Sequence, residues 1–276
     1  MTLSVVIITL NEIASIGATL DSVRFADQVV VLDSGSTDGT VKFCRDWGAQ
    51  VEVSTDWPGF GPQKNRALAF ATGEWVLSLD ADEVVSAALA QRIRQIVAGQ
   101  SAATTSAAVA TGQPELSAAE QAMVAWHLPR ASSYCGRVLR HGGWWPDHVL
   151  RLSRRAGARF TDDLVHERLL PPSGPVGTLA EPLAHATYTS LEEVLAKVDR
   201  YSSEGARQAF AAGKRCGFGK AVGHGLWAFL RTWLIRASIL DGPYGFMLAV
   251  SNAEATYYRY AKLWLLGQQA ARRIRP

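Results

Sequence analysis

A fourfold recurrence in the first hundred residues constrains the fold most: a short β-branched apolar run, then polar turn formers, then a stretch with helical spacing. The runs are residues 4–9 (SVVIIT), 28–32 (QVVVL), 50–54 (QVEVS) and 74–79 (EWVLSL). Segments of this length and this Val/Ile content read as strands rather than helices. Between them, residues 15–24 put Ile16, Leu20 and Val23 on one helical face, and 37–47 and 63–71 are helical in character. Alternating strands and helices make crossover connections, which join parallel neighbours and lay helices on the sheet faces. The expected fold class is α/β, a mostly parallel sheet flanked by helices. Ligands of such sheets bind in the crevice beyond the strands' carboxyl ends.

Polar residues cluster at those ends. The fourth run leads directly into Asp80-Ala81-Asp82-Glu83. Two carboxylates one residue apart suit a hard divalent cation, Mg²⁺ or Mn²⁺, which takes carboxylate oxygens and keeps positions open for phosphate. The competing reading is a solvated turn that caps a helix beginning at Ser86. After the first run comes Thr9-Leu10-Asn11-Glu12, and after the second Asp33-Ser34-Gly35-Ser36-Thr37-Asp38-Gly39-Thr40. An Asp at such a strand end can accept hydrogen bonds from a nucleobase imide or a ribose hydroxyl, the role read for Asp33. Gly35 gives the backbone freedom of a tight turn, and Ser36 or Thr37 is expected to cap the next helix. The plain alternative is a strand-to-helix turn and nothing more. In residues 59–66 a glycine-containing loop opens a helix, so helix N-terminal amides and Lys64 suit a diphosphate, while Arg66 reads equally well as a solvated charge.

The chain has 276 residues, 48% of them hydrophobic, enough to bury a sizeable core. Cys44, Cys135 and Cys216 lie far apart without metal-ligand spacing and fit a reducing compartment. The first residues lack the basic segment of a signal peptide, so cytoplasmic residence is expected. Residues 100–119, rich in Ala, Ser and Thr, follow no period and read as a mobile insertion. Short apolar runs from 123 to 170 extend the sheet, and helices are expected at about 190–212, 219–240 and 244–266. Charge divides the chain: residues 1–204 hold 17 Lys and Arg against 23 Asp and Glu, whereas 205–276 hold 11 against 2. That basic quarter is also rich in Trp, Phe and Leu, but charges interrupt each apolar stretch before it reaches spanning length. It reads as a region that rests on an anionic membrane surface, or that covers the sheet or forms an oligomer contact. Charge alone does not make it a nucleic-acid binder, and no recognised module accompanies it.

The motifs TLNE, LDSGSTDGT, GPQKNRAL and GEWVLSLDADE, in this order and spacing, resemble the nucleotide-sugar half of family-two inverting glycosyltransferases with the GT-A fold. Further on, LPR (128–130), CGR (135–137), HGGWWPD (141–147), RL (151–152), VHE (165–167) and ILDGP (239–243) resemble the branch that includes the lipopolysaccharide inner-core β-1,4-glucosyltransferases. The resemblance implies a GT-A domain at 1–187 and a helical region at 188–276. It implies Asp82 as metal ligand, with Asp80 at the ribose or a metal-bound water. Thr9, Asn11, Glu12, Asp33, Ser34, Gly35, Lys64, Asn65, Asp80 and Ala81 then line the nucleotide-sugar pocket. Glu167 is the implied base, with Asp162 and Asp163 as competitors, and His166 is a metal or diphosphate contact or a structural histidine. Arg137, Arg140, Asp147 and Arg151 are expected to grip the acceptor, with Trp144 and Trp145 stacking on sugar faces and one of the two packing inward. The expected reaction moves a hexose, on the family's precedent from UDP-glucose, to a lipid-linked saccharide such as the lipopolysaccharide core at the inner face of the plasma membrane. A polyprenyl-linked or exopolysaccharide acceptor and a non-catalytic nucleotide-sugar or membrane-binding module are the alternatives. A nucleotidyltransferase fits less well, because Asn11-Glu12 stands where a Gly-rich basic loop is expected.

Overall fold

In the computed structural model, residues 1–99, 116–162 and 167–274 are described. The insertion expected at 100–119 therefore falls outside the described residues as far as 115, and so do Asp163 and His166. The elements in order are β1 (Leu3–Thr9), α1 (Ile16–Ser22), β2 (Gln28–Asp33), α2 (Thr40–Trp47), β3 (Gln50–Val53), α3 (Phe60–Ala69), β4 (Trp75–Asp80), β5 (Glu83–Val85) and α4 (Ala87–Gly99). After these come α5 (Ala118–Gln121), β6 (Ala125–Tyr134), β7 (Arg137–Val138), β8 (Asp147–Arg154), β9 (Arg159–Phe160), β10 (Leu169–Leu170), β11 (Val176–Thr178) and β12 (Leu183–Tyr188). Three helices close the chain: α6 (Leu191–Ala211), α7 (Phe218–Leu230) and α8 (Gly242–Ile274). Two compact units result, one of Met1–Arg130 with His148–His185, the other of Ala131–Asp147 with Ala186–Pro276.

The first unit has the α/β class expected from the sequence. Its sheet runs β3-β2-β1-β4-β8-β6-β12-β5. The four strands read from the β-branched runs pair in parallel, in the order 3-2-1-4. Alternate residues of these strands feed two cores, as a pleated strand requires. Val5, Ile7, Leu77 and Leu79 join Leu20 and Ile93 on one face, while Val6, Val30, Leu32 and Val76 meet Ala67 and Leu68 of α3 on the other. Each such side chain stabilises the fold by about 1.5–3 kcal/mol relative to exposure. Register then positions the site: Thr9 lies opposite Asp33, and Ile8 opposite Asp80. The acidic ends of β2 and β4 thus flank the end of β1.

Two helix starts differ from expectation. Helix α2 begins at Thr40, and neither Ser36 nor Thr37 caps it, because the loop from β1 claims both. The Asn11 amide oxygen accepts from the Thr37 backbone N–H (2.8 Å), and the Asn11 N–H donates to Ser36 Oγ (2.7 Å). Helix α3 starts at Phe60, ahead of the expected 63, with Pro62 inside its first turn, where a missing N–H costs nothing.

In the second unit the helix expected over 219–240 stops at Leu230. A π-helical turn (Arg231–Ile235), Ala237 at φ 55° and a 3-10 turn (Ser238–Asp241) follow. The bend lets the Asp241 carboxylate accept from the backbone N–H groups of Arg140 (3.2 Å) and His141 (2.8 Å). Gly245 permits it, since a Cβ there would stand 1.7 Å from the Ser238 carbonyl oxygen. Two separate sequence motifs, HGGWWPD and ILDGP, are therefore halves of one local structure. Trp144 packs edge-on against Tyr134 with ring centroids 5.9 Å apart, the inward-packing member of the tryptophan pair. The Arg140 guanidinium stacks over Trp145 at 4.5 Å.

Candidate active site

The carboxyl end of β4 gathers charge from four other segments. Lys64 lies on the face of α3 that also buries Gly61, Ala67 and Leu68, and it is only 4% exposed. A buried ammonium needs partners. Among the described residues two carboxylates pair with it, Asp80 Oδ1 at 2.8 Å and Glu167 Oε1 at 2.7 Å. Glu167 reaches it because the short β9–β10 hairpin is fastened to α3. The Asn65 side chain donates to the Phe160 carbonyl (3.0 Å) and accepts from the Phe160 N–H (2.7 Å), and the Thr161 N–H donates to the Arg168 carbonyl.

Antiparallel pairing of β8 with β4, Leu77 opposite Leu152, carries Arg151 toward the Asp80 end. Its buried guanidinium bonds the second oxygen of Asp80 and reaches Glu83 Oε1 at 2.6 Å. Glu83 also accepts from the Asp80 N–H at 2.9 Å, with Arg130 3.6 Å away. Burial pushes the Asp80 carboxyl up, but the Arg151 and Lys64 charges outweigh it and hold the group well below the usual carboxylate range. Glu83 shifts the other way: complete burial and the neighbouring Asp80 charge raise it in spite of Arg151. For Arg151, burial opposes the charge, while Asp80 and Glu83 more than restore it.

Removing one partner from a buried charge pair leaves the other desolvated and alone. Arg151→Met should therefore destabilise the protein by about 3–5 kcal/mol in urea unfolding at neutral pH. A loss under about 1 kcal/mol would mean that Asp80 and Glu83 are solvated.

Asp82 is placed differently. Among the described residues it has one ion-pair contact, His185 Nε2 at 3.3 Å, and its side chain is 30% exposed. The antiparallel register of β12 with β5, His185 opposite Glu83, brings this histidine there. A divalent ion held jointly with a diphosphate needs only one or two protein carboxylates. Asp82 with the adjoining imidazole meets that need. No larger cluster of His, Cys, Asp and Glu suited to a metal occurs among the described residues.

The residues read as nucleotide contacts divide by accessibility. Asp33 is fully buried, and its carboxylate accepts from the Gly35 (2.8 Å) and Ser36 (2.7 Å) backbone N–H groups and from the Thr9 (2.9 Å) and Ser36 hydroxyls. It shapes the loop after β2. The Ser34 hydroxyl accepts from Gln63 at 3.1 Å, and the Ala81 carbonyl from the Thr19 hydroxyl at 2.7 Å. Asn11 and the half-buried Glu12 hold the facing loop, the Glu12 N–H donating to the Thr40 hydroxyl at 2.9 Å. Asp162 is exposed. Arg137, Arg140, Trp144, Trp145 and Asp147 belong to the second unit, whereas Arg151, read as an acceptor contact, is tied to Asp80 and Glu83 in the first. Sequence reasoning gave no role to Glu83 or His185. Adjacency to the Asp pair was a usable signal for Glu83, but nothing local marked His185.

Acidic strand ends with the buried cations Lys64 and Arg151, set at the carboxyl ends of the parallel strands of an α/β sheet, make a site suited to a charged ligand. The description of glycosyl transferase family 2 matches residues 4–142, about half of the chain. The chain belongs to this family and is a glycosyltransferase. It is 29% identical to the lipopolysaccharide core biosynthesis glycosyltransferase LpsC of Rhizobium meliloti (strain 1021), over 99% of this chain and 95% of that protein. An uncharacterised glycosyltransferase of Rickettsia bellii (strain RML369-C) is also 29% identical, over 97% of this chain and 87% of its own. Among solved structures, S. aureus TarS 1–349 in complex with UDP aligns over 98% of this chain and 92% of its own, at 14% identity and a TM-score of 0.42.

Proposed function

We propose that the protein transfers a hexose, with glucose from UDP-glucose as the favoured donor, to a lipid-linked saccharide of the lipopolysaccharide-core type, with inversion at the sugar carbon. One observation carries the reading: Lys64 holds Asp80 and Glu167 on a single ammonium, and Asp82, two residues beyond Asp80, pairs its carboxylate with His185 instead. The acceptor class rests on likeness to LpsC along nearly the whole of both chains.

In this reading Asp82 and His185 would hold Mg²⁺ or Mn²⁺, which would supply positive charge to offset that on the departing diphosphate. Asp33, through its bonds to the loop after β2, keeps that loop in shape to receive the nucleotide. Glu167 takes the proton of the acceptor hydroxyl as that oxygen attacks the sugar carbon and the bond to the diphosphate breaks. Lys64 orients the Glu167 carboxylate through Oε1 at 2.7 Å. Alignment of acceptor and base supplies much of the rate, and no covalent enzyme intermediate is needed. Arg137, Arg140, Trp145 and Asp147 are the proposed acceptor contacts in the second unit; Trp144 supports them from the aromatic cluster.

Incubation with a panel of nucleotide sugars, Mg²⁺ or Mn²⁺ and truncated lipopolysaccharide acceptors tests the proposal. UDP release that requires UDP-glucose, the ion and the acceptor together is the expected result. Release with a different donor reassigns the sugar, and no acceptor-dependent release from any donor overturns the reading.

A further inference from the structure

Helix α7 is nearly inside out. It buries Ala221 and Gly225, one turn apart, and there is no room for more: a Cβ on Gly225 would stand 3.0 Å from the Tyr257 Cβ of α8. Its large apolar side chains, Val222, Leu226 and Leu230, are left facing solvent at helical spacing. The turns that follow continue the pattern. Leu234, Ile235, Ile239 and Leu240 are all exposed, Ile235 at 66% and Leu240 at 69%, more than any other large apolar side chain described. Exposed large apolar side chains in this number along one short stretch mark an interaction site.

We propose that α7 and the turns at 231–241 form a wedge that inserts into the interfacial layer of an anionic lipid bilayer; its biological setting rests on the lipid-linked acceptor proposed above. Charge selects this occupant. Lys220, Arg231 and Arg236 flank the apolar residues and are exposed, and residues 205–276 carry 11 basic side chains against 2 acidic. Beside the wedge a cavity of about 400 Å³ is lined by Arg231, Arg259, His224 and Trp227 and, among the described residues, by no acidic one, a setting for a phosphate-bearing headgroup beneath an aromatic side chain. A second copy of the chain would bring the same positive surface against itself, which like-charge repulsion opposes. No described helix is long and apolar enough to cross a membrane, so the contact is one of shallow insertion.

Sedimentation of the full chain with phosphatidylglycerol-containing vesicles tests the wedge. Binding should fall at least about tenfold on pure phosphatidylcholine or in high salt. The triple substitution Leu234→Ser, Ile235→Ser, Leu240→Ser should lower partitioning roughly 10- to 100-fold while far-UV circular dichroism and donor hydrolysis without acceptor stay as in the parent. Quenching of tryptophan fluorescence by brominated lipid in the unmodified protein gives a reading that needs no variant. Absence of quenching, equal partitioning of parent and variant, or a parent dimer that the triple variant converts to monomer would each overturn the proposal. Vesicle binding is read without any sugar transfer, so its failure is separable from failure of the proposed reaction.

Discussion

Glu167→Gln is expected to lower sugar transfer by about 10²- to 10⁴-fold, the range that a positioned general base supplies. The amide keeps the size of the carboxylate and its carbonyl oxygen can still accept from Lys64, so folding and donor binding should persist. What is lost is the capacity to accept a proton. The diagnostic result is a kcat that collapses while the Kd for the nucleotide sugar, from calorimetry, stays within about threefold of the parent. A variant that transfers normally would shift the base to another carboxylate, with Asp162 the first to test among the described residues. The geometry favours Glu167 because Lys64 joins it to Asp80, whereas Asp162 is exposed and outside that set.

Asp82→Ala should be at least as severe, cutting acceptor-dependent release of nucleoside diphosphate by about 10³-fold or more. A divalent ion stabilising the leaving group, as proposed, would contribute several kcal/mol, and each ~1.4 kcal/mol is tenfold in rate. Asp80 cannot readily substitute, because Lys64 and Arg151 already claim both of its oxygens. Chelation of divalent ions from the parent should reproduce the defect, and added Mn²⁺ should restore the parent but not the variant. If Asp82→Ala keeps a tenth of the parent rate and its Mn²⁺ dependence, the ion is held elsewhere. Thermal stability of this variant should change little, since a partly exposed side chain leaves no buried charge unpaired.

The sequence by itself determined the parallel strands and the crossover helices, because strand and helix periods are local. It also marked the acidic strand ends, which lie within a residue or two of an apolar run. The exact helix starts were less legible. Helix α2 begins only at Thr40 because the Thr37 N–H is taken by Asn11, 26 positions before Thr37. The end of α7 was illegible for a related reason, since Asp241 serves residues 100 positions away.

Only the tertiary structure decided what each charged residue does. Arg151 meets Asp80 across 71 positions, and His185 reaches Asp82 through the register of two strands. Lys64 reads from the sequence as a diphosphate contact at a helix start, and in the fold it is the buried link between two carboxylates. The physical reason is that periodicity fixes which face of an element turns inward, whereas ion-pair partners depend on which elements become neighbours and in what register.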